Sequence, residues 1–129
     1  VTINETDLDN FIRAKGAIFS AFRTMLNSVG ATPDDLSQVI IAGGIGSGIN
    51  MANAMEIGML PKMPLEKYHY IGNSSLTGAC AMLVSDEANE KVFELGQSMT
   101  YLELSVEPGY MDEFVAACFI PHTDASLFA

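Results

Sequence analysis

The chain is poor in cations and in cysteine. Six lysines and arginines stand against sixteen aspartates and glutamates in 129 residues, a formal charge of −10. A field of that sign repels phosphate backbones and anionic lipid, so neither nucleic acid nor a membrane is expected as a partner. It also disfavours anionic ligands over most of the surface, unless donors are placed locally for them. Cys80 and Cys118 lie far apart in helical patterns, which matches neither a metal set nor a redox pair. They read as small buried hydrophobes. With no sign of an oxidising compartment, a cytoplasmic setting is expected. No run approaches the roughly 18 apolar residues of a membrane span, and no signal-peptide pattern is visible. The chain begins at Val1 rather than methionine, which suggests an excised or processed piece.

About half of the residues are apolar, enough for one core and a single domain over 1–129. Thr6 can cap a long first helix, with apolar residues recurring from Leu8 to Val29 at helical spacing and Gly30 as its stop. Thr32-Pro33 opens a short turn. Val39 to Ala42 is β-branched and apolar on both faces, as in a strand buried within a parallel or mixed sheet. A helix is expected from Asn50 to Leu60, stopped by Pro61 and Pro64, and then a second strand from Tyr68 to Ile71. Further helices are expected over Leu76 to Val84, Asp86 to Met99 and beyond Pro108. Tyr101 to Val106 alternates with period two and reads as a half-buried strand. The alternation of strands and helices predicts an α/β layered fold, a mixed sheet flanked by helices.

The first strand breaks into Gly43-Gly44-Ile45-Gly46-Ser47-Gly48 and the second into Gly72-Asn73-Ser74-Ser75. Glycine has no Cβ to block a ligand and takes positive φ freely. A helix following such a loop adds unpaired N–H groups. In α/β folds ligands gather beyond the carboxyl ends of the strands, so both loops are expected to face one crevice. The plainer alternative is a pair of connecting turns. Lys15 bears on the choice. Leu8, Phe11, Ile12, Ile18, Phe19, Phe22 and Leu26 share a helical face with it, so a charge lies within an apolar stripe. Such a lysine either snorkels to water or donates to a ligand in the cleft.

Other residues carry less. Arg13 and Arg23 fall off the stripe, and His69 and His122 lack companions at metal or triad spacing. Asp86, Glu87, Glu90 and Glu94 occupy a wet helical face, and the eight methionines read as core filler. The glycine loop lacks the Gly-Lys-Ser/Thr ending of a Walker A loop and does not fit Gly-x-Gly-x-x-Gly. A dinucleotide fold is therefore not expected.

Four ordered blocks carry a family resemblance: Ile12-Arg13-Ala14-Lys15-Gly16-Ala17-Ile18; Ile40-Ile41-Ala42-Gly43-Gly44-Ile45-Gly46; Tyr70-Ile71-Gly72-Asn73-Ser74-Ser75-Leu76-Thr77-Gly78-Ala79; and Met111 to Ala117 with Phe119-Ile120-Pro121-His122-Thr123-Asp124. Across essentially its whole length the chain resembles the C-terminal part of the reductive activators of corrinoid proteins. These resemble in turn the actin, hexokinase and heat-shock ATPase superfamily. The resemblance implies a ribonuclease-H-like lobe, on the adenosine side of a larger ATPase that restores cobalt(II) corrinoid protein to cobalt(I). It implies ATP as ligand, with magnesium in the parent, and adenosine contacts from Gly43, Gly44 and Gly46, from Gly72, Asn73 and Ser74 across the cleft, and from the helix of Lys15. The four-cysteine iron-sulfur segment and the phosphate-binding half of such an activator are missing here, so the piece alone is expected to be inactive. The implied partners are the corrinoid protein, the remaining domains of the parent and a possible second copy. Two other readings stay open: a lobe of a small-molecule kinase of the same superfamily, and a non-catalytic partner-binding or dimerisation module.

Overall fold

The computed structural model describes residues 2–128, the side chain of Ile45 excepted; Val1 and Ala129, the ends of the expected 1–129 domain, lie outside the described residues. Helix α1 runs over Glu5–Ser28. Its cap is Asn4, two residues before the expected Thr6, because Asn4 and Asp7 form a reciprocal box: Asp7 N donates to Asn4 Oδ1 at 2.9 Å and Asn4 N to Asp7 Oδ2 at 3.1 Å. Gly30, at φ 68°, turns the chain off the helix as its position predicts.

Strand β1 (Val39–Ile41) and strand β2 (Tyr68–Tyr70) pair in parallel, with Val39 opposite Tyr68 and Ile41 opposite Tyr70. Their crossover carries a 3-10 turn at Ile45–Gly48 and helix α2 (Met51–Glu56), which Asn50 caps through Asn53 N at 3.1 Å. Met55, Met63 and Tyr68 form the core beneath this pair, with Leu36, Val39, Ile41, Met51 and Leu60 against it. Tyr68 Oη donates to Pro61 O at 2.6 Å, which gives the buried phenol its partner.

Beyond β2 come α3 (Ser74–Val84), α4 (Asp86–Ser98) and α5 (Tyr110–Ala117). Helix α5 packs along α1, and α3 packs on α4. The expected strand over Tyr101 to Val106 does not form. Glu103 accepts from Ser105 N at 3.2 Å and Ser105 Oγ at 2.7 Å, capping a 3-10 turn at Leu104–Val106. Local side-chain bonds of this kind compete with a ladder when no neighbouring strand is at hand. No helix among the described residues is long and apolar enough to cross a membrane.

Much apolar surface stays open. Neither α3 nor α4 contains a buried residue, and on α1 Leu8, Phe11, Ile18 and Met25 are exposed. The accessible area is 9018 Å², against roughly 6,600 Å² for a compact monomer of this mass.

Candidate functional site

The two loops predicted to share a crevice are joined directly. Ile71 N donates to Ile41 O at 3.0 Å, and one step further Gly43 N donates to Gly72 O at 2.8 Å, extending the parallel ladder past both strand ends. Gly43 and Gly72 stand at φ 95° and 73°, a region where a Cβ is strained. Their turns carry both chains away from the ladder at the same level. Gly44, Asn73 and Ser74 follow at once, so five of the residues singled out in the sequence meet at the carboxyl ends of β1 and β2. Tyr70 Oη braces the first loop by donating to Gly43 O at 3.0 Å.

Each residue there has a distinct part. A Cβ on Gly44 would meet nothing within 4 Å, so this glycine borders open space. Among the described residues its N–H has no backbone acceptor, and Ser47 Oγ donates to its carbonyl at 2.7 Å. Asn73 caps α3 by accepting from Leu76 N at 3.1 Å, which leaves its side-chain amide N–H groups pointing away from the helix bond. Ser74 N donates to Gly72 O at 3.1 Å and closes the second turn.

Gly46 is different. A Cβ there would lie 2.7 Å from the Tyr70 ring and 2.8 Å from Ile41 Cγ2, so its smallness lets the loop fold onto the strands rather than admit a ligand.

Lys15 requires a larger correction. Its side chain is 0% exposed, and its ammonium donates to the carbonyls of Ala117, Phe119 (2.6 Å) and Pro121. Three protons meet three acceptors, which leaves none for a ligand and excludes both the snorkelling and the donor readings. Burial lowers its pKa, while the neighbouring Cys118 acts the other way. Gly16 beside it lets α5 approach: a Cβ there would lie 3.0 Å from Cys118 Sγ and 3.4 Å from the Ala117 backbone.

The lysine therefore fastens a C-terminal strap, residues 118–128, across α1. Gly58 lies under the same strap, where a Cβ would come within 2.1 Å of Pro121 O. His122 is buried against Phe19, with ring centroids 5.4 Å apart. Its Nδ1 accepts from Asp124 N at 2.9 Å, so Nε2 carries the proton facing Glu113 Oε1 at 3.2 Å. Glu113 also receives Arg23 at 3.3 Å. Sequence reading left Glu113 out and set Arg23 and His122 apart, since only the fold brings these three together.

A separate cleft of about 200 Å³ lies between the second half of α1, Pro33, Pro61 and Leu127. It borders the segments that lead into the strands rather than the loops that leave them. No group of three or more His, Cys, Asp or Glu among the described residues is arranged to hold a metal ion. With Cys80 exposed on α3 and Cys118 at the end of α5, the donors for an iron-sulfur cluster are not assembled in this chain.

These parallel strands, their paired glycine turns and the helices around them are those of an ASKHA domain. All 129 residues match the family model described as the C-terminal domain of RACo, the ASKHA domain, and the chain belongs to that family. It is similar to the corrinoid activation enzyme RamQ of Eubacterium limosum, 30% identical over 115 residues, covering 89% of this chain and 19% of RamQ. Among solved structures it is similar to a reductive activator for corrinoid, iron-sulfur protein, 52% identical with a TM-score of 0.91, covering 98% of this chain and 20% of that one. The chain thus spans about a fifth of the length of these relatives. The expected α/β, ribonuclease-H-like class of fold holds.

Proposed function

We propose that this chain is the adenosine-side lobe of a larger ATP-dependent activator that returns cobalt(II) corrinoid protein to cobalt(I). The observation that carries the reading is the Gly43 N to Gly72 O bond, which sets two glycine turns side by side at the strand ends. Open space at Gly44 and its unengaged N–H fit close approach of a flat heterocycle, with Asn73 and Ser74 opposite. Gly46 serves this site from behind by letting the loop fold down, whereas Lys15 holds residues 118–128 to α1. The chain's family and the names of its relatives support the corrinoid assignment.

In the whole protein one electron passes to cobalt(II), giving cobalt(I). The donor is an iron-sulfur centre elsewhere in the parent, and ATP hydrolysis drives the transfer uphill. Magnesium and the phosphate-handling acids belong to that remainder. A cytoplasmic setting suits such reducing chemistry. This lobe binds and orients the nucleoside end, and by itself neither hydrolyses ATP nor moves electrons.

The test is Gly44→Val in the full-length activator. Because Gly44 sits at φ −64° beside open space, valine is expected to leave the fold intact. Filling that space should weaken ATP binding by at least about tenfold in calorimetry. Undiminished ATP affinity in a well-folded variant would move the nucleotide site elsewhere.

A further inference from the structure

Tyr70 closes β2 opposite Ile41, and the loop that leaves β1 folds back over this pair of side chains. Gly46 is buried against them, with the Tyr70 ring and Ile41 Cγ2 both closer than a Cβ there would allow. At the other end of the loop the Tyr70 hydroxyl donates to Gly43 O at 3.0 Å. Gly44 is thus held between two contacts with one side chain. Ser47 Oγ also bonds into the loop, at Gly44 O, but Ser47 belongs to the 3-10 turn of that loop and moves with it. Tyr70 belongs to the sheet.

Peptide geometry gives the hydroxyl bond its consequence. The bond between Gly43 and Gly44 is trans, so the Gly43 carbonyl and the Gly44 N–H lie in one plane and point in opposite directions. Holding the carbonyl at Tyr70 therefore turns the N–H away from it. That N–H has no backbone acceptor among the described residues. A peptide between two glycines rotates with little resistance, because neither side carries a Cβ to oppose it. Released from the hydroxyl, the same peptide can present its oxygen where the N–H now stands.

We propose that Tyr70 is a positioning residue for the nucleoside: its hydroxyl fixes the Gly43–Gly44 peptide so that an N–H donor, and not a carbonyl, faces the ligand. The group recognised there is an acceptor, such as an unprotonated ring nitrogen of the base. The proposal rests on the adenosine-lobe reading above, and adds to it the residue that sets which way the loop donates.

Steady-state ATP hydrolysis by the full-length activator tests it with Tyr70→Phe, which keeps the ring under Gly46 and removes the hydroxyl. Tyr70 is 43% exposed, so the thermal midpoint should hold. A contact made equally to bound ATP and to the transition state acts on KM alone. KM for ATP should rise about fivefold, the usual weight of one hydrogen bond, with kcat unchanged. Gly46→Ala reaches the same peptide from the other end, since its Cβ lifts the loop from the ring, and should give the same pattern. An unaltered KM in either variant with its thermal midpoint intact overturns the proposal, as does a fall in kcat as large as the rise in KM. Gly44→Val separates this failure from that of the wider reading. If it weakens ATP binding while Tyr70→Phe leaves KM unaltered, the adenosine lobe stands without its pin; if it does not, the adenosine reading fails and this proposal falls with it.

Discussion

A single ammonium group organises the lower half of the lobe. Lys15 satisfies the carbonyls of Ala117, Phe119 and Pro121, and a neutral side chain of similar length would leave all three without that donor, the first in a fully buried residue. Buried polar groups stripped of a charged partner cost about 1–3 kcal/mol each, so Lys15→Met should lower stability by about 3 kcal/mol or more in urea denaturation. Lys15→Arg should not rescue it, because a planar guanidinium cannot aim three protons at acceptors gathered around one tetrahedral nitrogen. Stability close to that of the unsubstituted protein in the Met variant would show that the clasp contributes little. That a charge sat on the apolar stripe was legible from helical spacing. What satisfied it was not, since its partners lie more than 100 positions away and are backbone atoms that leave no mark in side-chain pattern.

At the level of elements, strands and helices with strong local signals were legible and the one without a partner was not. β1 and β2 fall within their apolar runs, and the glycine turns fall where the β-branched residues stop. Tyr101–Val106 alternates as a strand should, yet pairing needs an edge to pair with, and Glu103 folds the segment onto itself instead. Helix α1 was recognised, but its buried side is set by α5: Lys15, Gly16, Phe19, Ser20 and Thr24 are covered, while much of the larger apolar stripe is not. β2 is fastened through Tyr68, whose phenol is pushed up from near 10 to about 12 by burial. The group stays protonated more readily in the fold than in the unfolded chain, so its contribution is complete below pH 10 and erodes as pH rises through about 12. Tyr68→Phe should cost about 1 kcal/mol at neutral pH through loss of the Pro61 bond. It should also lose stability less steeply across that alkaline window, as read from denaturation curves at each pH. An identical alkaline slope would remove Tyr68 as its source.

For the whole molecule, the accessible surface exceeds that of a compact monomer of the same mass by about 2,400 Å². That is the size of an obligate interface rather than a passing contact. Most of it is expected to be covered in the full-length activator, so the isolated chain should enhance the emission of a hydrophobic dye well beyond the activator at equal molarity. Equal emission would mean that the apolar faces stay open in the complete protein. Of the proposed nucleotide site, the loops of one wall were readable in the glycine pattern, and the proposal assigns the opposing wall to the rest of the parent protein.

The clasp also sets an order of events during synthesis. Its donor lies in α1 and its acceptors more than 100 positions further along the chain, so the ammonium has no native partner until those carbonyls have left the ribosome. Until then α1 carries an uncompensated charge on the side it will bury and lacks the helix that covers it. The lobe can therefore lock only once Pro121 has been made, and chains stopped short of it should be found unclosed and open to proteases.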